Sequence, residues 1–151
     1  MHELILLRHA QAEAANPAID DYARALTDAG RAQALAAAQR LRAEGDAPGL
    51  LLYSPARRTQ DTALIVSGEL GMAGTAVRSV PTLYLADTST LRAIIGSHGA
   101  TVRRLLVIGH NPDLSELGAQ LSAAHEGGHL ATGEYWRLAL DAATWRSLAG
   151  A

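Results

Sequence analysis

Apolar runs bounded by turn-forming residues recur along the chain at residues 3–8, 50–54, 77–80, 105–109 and 134–140, each of a length suited to a strand. Helical patterns fill the intervals. Thr27 is placed to cap a helix running to about Arg42, with Ala34, Leu35, Ala38 and Leu41 on one face, Arg31, Gln39 and Arg42 on the other, and Gly45 closing it. A second helix is predicted from near Ser54-Pro55 to Leu70, stopped by Gly71. A third covers about Ser89 to Ser97 before Gly99, and a fourth starts at Pro112 and ends near Ser122. Residues 123–133, AAHEGGHLATG, read as a loop, and EYWRLALDAATW alternates enough to be an edge or antiparallel strand.

Strand and helix alternating through short connections predict an α/β fold, a three-layer sandwich in which a mostly parallel central sheet is flanked by helices. No internal repeat or linker interrupts residues 1–151, so a single domain is expected. A chain of 151 residues can bury roughly 70% of the surface its unfolded form exposes.

Composition then narrows the chemistry. Hydrophobic residues make up 48% and charged residues 19%, as in an ordinary globular protein. With no cysteine, disulfides, thiolate nucleophiles and cysteine metal sites are excluded. No apolar run approaches the ~20 residues of a membrane helix and no leader pattern precedes the first strand, so a cytoplasmic protein with no membrane partner is expected. A net charge of −2 and no basic cluster longer than a pair argue against a nucleic-acid partner.

Three polar clusters follow three of the predicted strands: Arg8-His9, SPARRTQDT at 54–62, and GHNP at 109–112. In a parallel sheet the carboxyl ends of the strands share one rim, so these clusters can converge there. Two arginines and two histidines with no carboxylate cluster describe an anion site, because guanidinium forks match phosphate oxygens in bidentate fashion. Helix N-termini near Ser54 and Pro112 would add to it. The plainer alternatives are that Arg57 and Arg58 lie on a solvated helix face and that His110 caps a turn.

The same residues carry a family resemblance. LLRHA resembles the R-H-G signature of the histidine phosphatase superfamily, the phosphoglycerate mutase-like group; SPARRTQDTA resembles its S-P-x-x-R-x-x-x-T element, and VIGHNP its second histidine motif. RHA in place of RHG, with DDYARALTDAG at 20–30, is most similar to the phosphohistidine phosphatase SixA branch. The resemblance implies a phosphoglycerate mutase-like fold and a phosphatase; no cofactor or metal is expected, because Arg8, Arg58 and His110 meet the phosphate charge and no carboxylate cluster suits a hard cation. The resemblance makes His9 the nucleophile and has Arg8, Arg58 and His110 hold the phosphoryl oxygens. Thr62, Asn111 and Arg57 are the further substrate-binding candidates, Arg57 having the weaker claim because the motif's spacing selects Arg58. The superfamily's later C-terminal motif is not recognisable in residues 123–151.

Charge suggests the mechanism. Neighbouring cations should hold His9 unprotonated, whereas a bound dianion should keep His110 cationic. Many superfamily members use a glutamate to protonate the leaving oxygen, and no Glu lies between Glu69 and Glu116. That gap tilts the substrate toward a phosphohistidine-bearing protein, since an imidazole leaves more easily than an alkoxide. Asp87 could still donate a proton, which would favour small phosphomonoesters, or it could cap the following helix. A non-catalytic module that binds a phosphorylated partner is the alternative outside enzymes, and His9 argues against it, since capture needs no nucleophile.

A competing pattern is HEGGH at 125–129, which matches the H-E-x-x-H of zinc peptidases. Gly127-Gly128 would cost a helix roughly 2 kcal/mol relative to two alanines, so a loop histidine pair is expected instead.

Overall fold

The computed structural model describes residues 1–150. Five strands, β1 (His2–Arg8), β2 (Leu50–Tyr53), β3 (Val77–Ser79), β4 (Arg104–Gly109) and β5 (Tyr135–Leu140), alternate with five helices, α1 (Asp28–Glu44), α2 (Arg57–Glu69), α3 (Thr88–His98), α4 (Asp113–Leu121) and α5 (Ala142–Gly150). The sheet order is β3-β2-β4-β1-β5. The pairs β1–β4, β2–β4 and β2–β3 are parallel, and β5 runs antiparallel to β1 at the edge.

Both faces of the sheet are covered, which explains why the central strands read as continuous apolar runs. Leu4, Leu6, Leu50, Leu52, Leu105 and Val107 point to one face, where Leu91, Ile95, Leu114, Leu117, Trp145 and Leu148 of α3, α4 and α5 pack on them. The alternate residues Ile5, Leu7, Leu51, Leu106 and Ile108 meet Ala37, Ala38, Leu41, Ala63 and Val66 of α1 and α2. The fold is therefore the expected three-layer sandwich.

The boundaries depart from expectation where backbone chemistry overrides periodicity. Thr27 caps α1 by accepting from the Gly30 amide, as predicted, but Leu35 is exposed and Ala37 fills the core position beside Ala34 and Ala38. The second helix starts at Arg57 because Ser54, Pro55 and Ala56 make the turn off β2, and α4 starts one residue after Pro112. The final segment stops being a strand at Leu140. The Asp141 carboxylate then accepts from the Thr144 amide at 2.7 Å and begins α5, a helix that the alternation of EYWRLALDAATW concealed.

The long connection from β1 to α1 is held at both ends. Glu13 and Ala25 share a backbone hydrogen bond, and the Thr27 amide donates to the Gln11 carbonyl. At Gly30 the loop and helix approach so closely that a Cβ would fall 2.0 Å from the Gln11 carbonyl oxygen, leaving room only for glycine. No described helix is long and apolar enough to cross a membrane.

Candidate active site

Strand register brings the three polar clusters together. Arg8 is opposite Gly109 in the β1–β4 pair and Tyr53 is opposite Ile108 in the β2–β4 pair, so His9, Ser54 and His110 leave adjacent strand ends. The His9 amide donates to the Gly109 carbonyl at 3.1 Å and the Ser54 amide to the Ile108 carbonyl at 3.2 Å, extending the ladder into the site. A cleft of about 340 Å³ opens at this rim, lined among others by Arg8, His9, Arg24, Arg58, His110 and Asn111.

His9 is buried, with Nδ1 2.7 Å from the Ala10 carbonyl. A carbonyl only accepts, so the ring proton sits on Nδ1 and Nε2 keeps its lone pair. Burial, with added repulsion from Arg58, Arg8 and Arg24, pushes the imidazole down to about 4 against the opposing pull of the Ala10 carbonyl. His9 is therefore neutral, as expected.

The His110 ring lies 5.4 Å from the His9 ring. Its Nδ1 faces an Arg58 amino group at 3.4 Å, and its Nε2 is 2.8 Å from the Ser54 hydroxyl. A guanidinium only donates, so Nδ1 accepts and Nε2 carries the proton toward Ser54. The expected charge separation concerns a bound dianion; in the free protein the two rings carry the same charge. Burial and the Arg58 charge push His110 down to about 3, so it too is neutral, and a bound anion would act in the opposite direction.

Arg58 is buried and points into the cleft from the first turn of α2. It donates to the Asp21 carbonyl at 2.8 Å and to the Asp21 carboxylate at 3.2 Å. Arg8 donates to the Leu130 carbonyl at 3.3 Å and reaches His129 Nε2 at 3.5 Å. The Nε–H of each arginine is buried without a partner, a donor left over in an otherwise bonded constellation.

The remaining sequence candidates divide. Asn111 lines the cleft, but its side chain is committed, donating to the Leu130 carbonyl at 2.7 Å and accepting from the Ser115 amide and hydroxyl. Thr62 lies behind the cleft rather than in it: fully buried, it accepts from the Ala10 amide at 3.1 Å and donates to the Arg58 carbonyl at 2.8 Å. It ties the residue after His9 to α2. Arg57 turns outward to pair with Asp61 at 3.1 Å and stays away from the cleft. Asp87 is exposed and caps α3 by accepting from the Thr90 amide at 2.8 Å, which holds its carboxyl below the usual range. The structure thus shows Asp87 in the capping role.

The HEGGH stretch is not helical. His125 ends a 3-10 turn and stacks on Trp136 at 4.1 Å, Gly127 has φ +73°, and His129 turns toward Arg8. Three participants escaped the sequence reading. Arg24 and Asp21 lay unremarked within DDYARALTDAG, and Tyr84, whose hydroxyl donates to Asp21 at 2.8 Å, carries no local signal at all.

Fold and cleft together define an α/β protein with a small cationic cleft at the carboxyl ends of its strands. The chain belongs to the histidine phosphatase superfamily (branch 1), whose family model matches residues 4–84. Two solved structures are similar over most of the chain. One is the candidate phosphohistidine phosphatase SixA of Agrobacterium tumefaciens, 27% identical with a TM-score of 0.79 and 90% of each chain covered. The other, a candidate SixA from Nakamurella multipartitia, is 29% identical with a TM-score of 0.80, covering 99% of this chain and 90% of that one. An uncharacterised chloroplastic protein of Arabidopsis thaliana is 32% identical over 129 residues, and the chain spans 59% of that relative's length.

Proposed function

We propose that the protein is a phosphohistidine phosphatase working through a phosphorylated His9. The observation that carries this reading is the bonding of His9: its Nδ1 proton is committed to Ala10, which leaves the Nε2 lone pair unprotonated in a cleft with Arg8, Arg58 and His110. In the first step Nε2 attacks phosphorus, a P–N bond forms to His9, and the P–N bond to the substrate imidazole breaks. The departing imidazole gains its proton at its own second ring nitrogen, from water. In the second step water attacks phospho-His9, releasing orthophosphate and restoring the free ring.

The substrate class follows from the lining. Among the described residues no carboxylic acid lines the cleft, and Asp87 is committed to its helix cap. A phosphoester would release an alkoxide that needs such an acid; a phosphoramidate does not. Arg8, Arg58 and His110 meet the phosphoryl charge, so the reaction needs no metal and turnover should survive EDTA.

Brief mixing with a ³²P-labelled phosphohistidine peptide and an alkaline quench should leave label on the wild-type chain, because a phosphoramidate survives base and hydrolyses in acid. His9→Ala should lose label and turnover together. Full turnover by His9→Ala would overturn the covalent mechanism. Faster hydrolysis of sugar or aryl phosphates than of the peptide would move the substrate to small phosphoesters, and binding of the peptide without hydrolysis would make the protein a binding module.

A further inference from the structure

Asp21 sits on a short 3-10 turn in the β1–α1 connection, 37 residues from Arg58 and 63 from Tyr84, yet it is the meeting point of three side chains at the cleft. Its backbone carbonyl takes one amino group of Arg58 at 2.8 Å, and its carboxylate Oδ2 takes the other at 3.2 Å. The same Oδ2 accepts from the Tyr84 hydroxyl at 2.8 Å. Oδ1 is gripped by Arg24 through Nε and Nη2 at 3.1 and 2.7 Å. The Tyr84 ring stands edge-on to His110 at 5.7 Å and to Tyr22 at 5.1 Å.

A carboxylate at this place is electrostatically odd. It adds negative charge beside a cleft whose other groups suit an anion, and like charges there oppose binding. What it gains is geometry. A free arginine side chain samples many rotamers, and two Asp21 oxygens on two guanidinium nitrogens fix both the position and the plane of the fork. Tyr84 in turn restricts the carboxylate, and its hydroxyl has no other hydrogen bond among the described residues.

We propose that Asp21 is a positioning residue that fixes the plane of Arg58, and that Tyr84 acts on the reaction only through Asp21. The inference rests on reading the cleft as the phosphoryl site. It predicts a dependence that ordinary structural support would not produce: the worth of Asp21 and Tyr84 to turnover exists only while Arg58 is present.

The test is a set of double-mutant cycles with two readouts, calorimetric binding of inorganic phosphate and turnover of a phosphohistidine peptide. Arg58→Ala should weaken phosphate binding. Asp21→Asn should lower kcat roughly 10-fold and Tyr84→Phe somewhat less, with little change in KM. Combined with Arg58→Ala, neither should lower the residual kcat further, and Tyr84→Phe should add nothing to Asp21→Asn. If Asp21→Asn and Tyr84→Phe cost the same factor with and without Arg58, the positioning role is wrong and the phosphoryl site stands. If Arg58→Ala binds phosphate as tightly as the wild type, the site reading itself is wrong.

Discussion

Ser54 and His110 are 56 residues apart in sequence and share a hydrogen bond of 2.8 Å, Ser54 lying fully buried beside a histidine that lines the cleft. The bond holds the proton of His110 on Nε2 and leaves Nδ1 toward Arg58. Ser54 is fully buried, so Ser54→Ala would leave that N–H facing an apolar wall at a cost of about 1–3 kcal/mol. The expected result is a fall in kcat/KM of roughly 10-fold, since the same energy is drawn from the orientation of His110. Unchanged steady-state kinetics would remove Ser54 from the catalytic assembly.

Binding of a dianion should draw a proton onto His110, because the ring is held near 3 by burial and by Arg58, and a nearby negative charge acts the other way. Sulfate is a suitable probe, as it does not itself titrate near neutrality. Calorimetry at pH 5 in buffers of different ionisation heat should report proton uptake on binding, and His110→Gln should abolish it. Sulfate binding by the wild type without uptake would mean that His110 stays neutral and acts only as a hydrogen-bond donor.

Two buried neutral histidines also make stability depend on pH with a definite sign. Unfolding frees both rings to take up protons at their ordinary value near 6.5, whereas in the fold they resist down to about 4 for His9 and about 3 for His110. Below pH 6.5 the unfolded state binds more protons, so stability is full above that value and declines as pH falls, down to about 4 for the His9 contribution and about 3 for that of His110. For His9 alone the loss is about 3 kcal/mol. Urea unfolding at pH 7 and pH 4.5 should show the wild type losing more than His9→Gln; equal losses would contradict the burial argument.

The adjacent arginines should separate cleanly. Arg58→Ala removes a buried guanidinium from the cleft and should lower kcat/KM by roughly 10²-fold or more, by analogy with loss of an oxyanion donor. Arg57→Ala breaks an i,i+4 pair with the buried Asp61 carboxylate, which Arg31 still approaches at 3.9 Å, and should cost about 1 kcal/mol of stability with little change in turnover. Parallel kinetics and thermal melts on the two variants decide the matter, and a reversed order would contradict the register of α2.

Gly30→Ala tests the anchoring of the loop that carries Asp21 and Arg24. A Cβ 2.0 Å from a backbone carbonyl oxygen cannot be relieved by rotating a side chain, so either α1 or the Gln11 segment must shift. A loss of about 1–3 kcal/mol in denaturant unfolding is expected, with a fall in phosphate affinity because Gln11 also lines the cleft. Wild-type stability would show that the contact is loose.

The sandwich was legible in the chain because it depends on local signals. Alternating residues of β1 send Leu4 and Leu6 to one layer and Ile5 and Leu7 to the other, and the polar runs that follow β1, β2 and β4 mark a shared rim. Thr27 announces α1 through a hydrogen bond only three residues long. His9, Arg8, Arg58 and His110 were recognisable because each lies in a short motif immediately after a strand, and parallel pairing does the rest.

What the tertiary structure alone decided are relationships between residues that share no local pattern. Neighbours on a helix point about 100° apart, so Arg57 and Arg58 have opposite fates that only the placement of α2 against the loop at Asp21 resolves. Asp87 could be acid or cap on sequence grounds, and only the position of the Thr90 amide shows that it caps the helix. Thr62 was read as a ligand and proves a tether behind His9, because its hydroxyl faces the Ala10 amide. That the His110 ring is neutral in the free protein could not be read from the chain for the same reason: a pKa depends on burial and on cations brought near by folding, and neither Arg58 nor His9 is close to it in the chain. Periodicity records which face of an element is buried; it holds no record of which polar atoms meet across the sheet ends, where the chemistry of this protein is assembled.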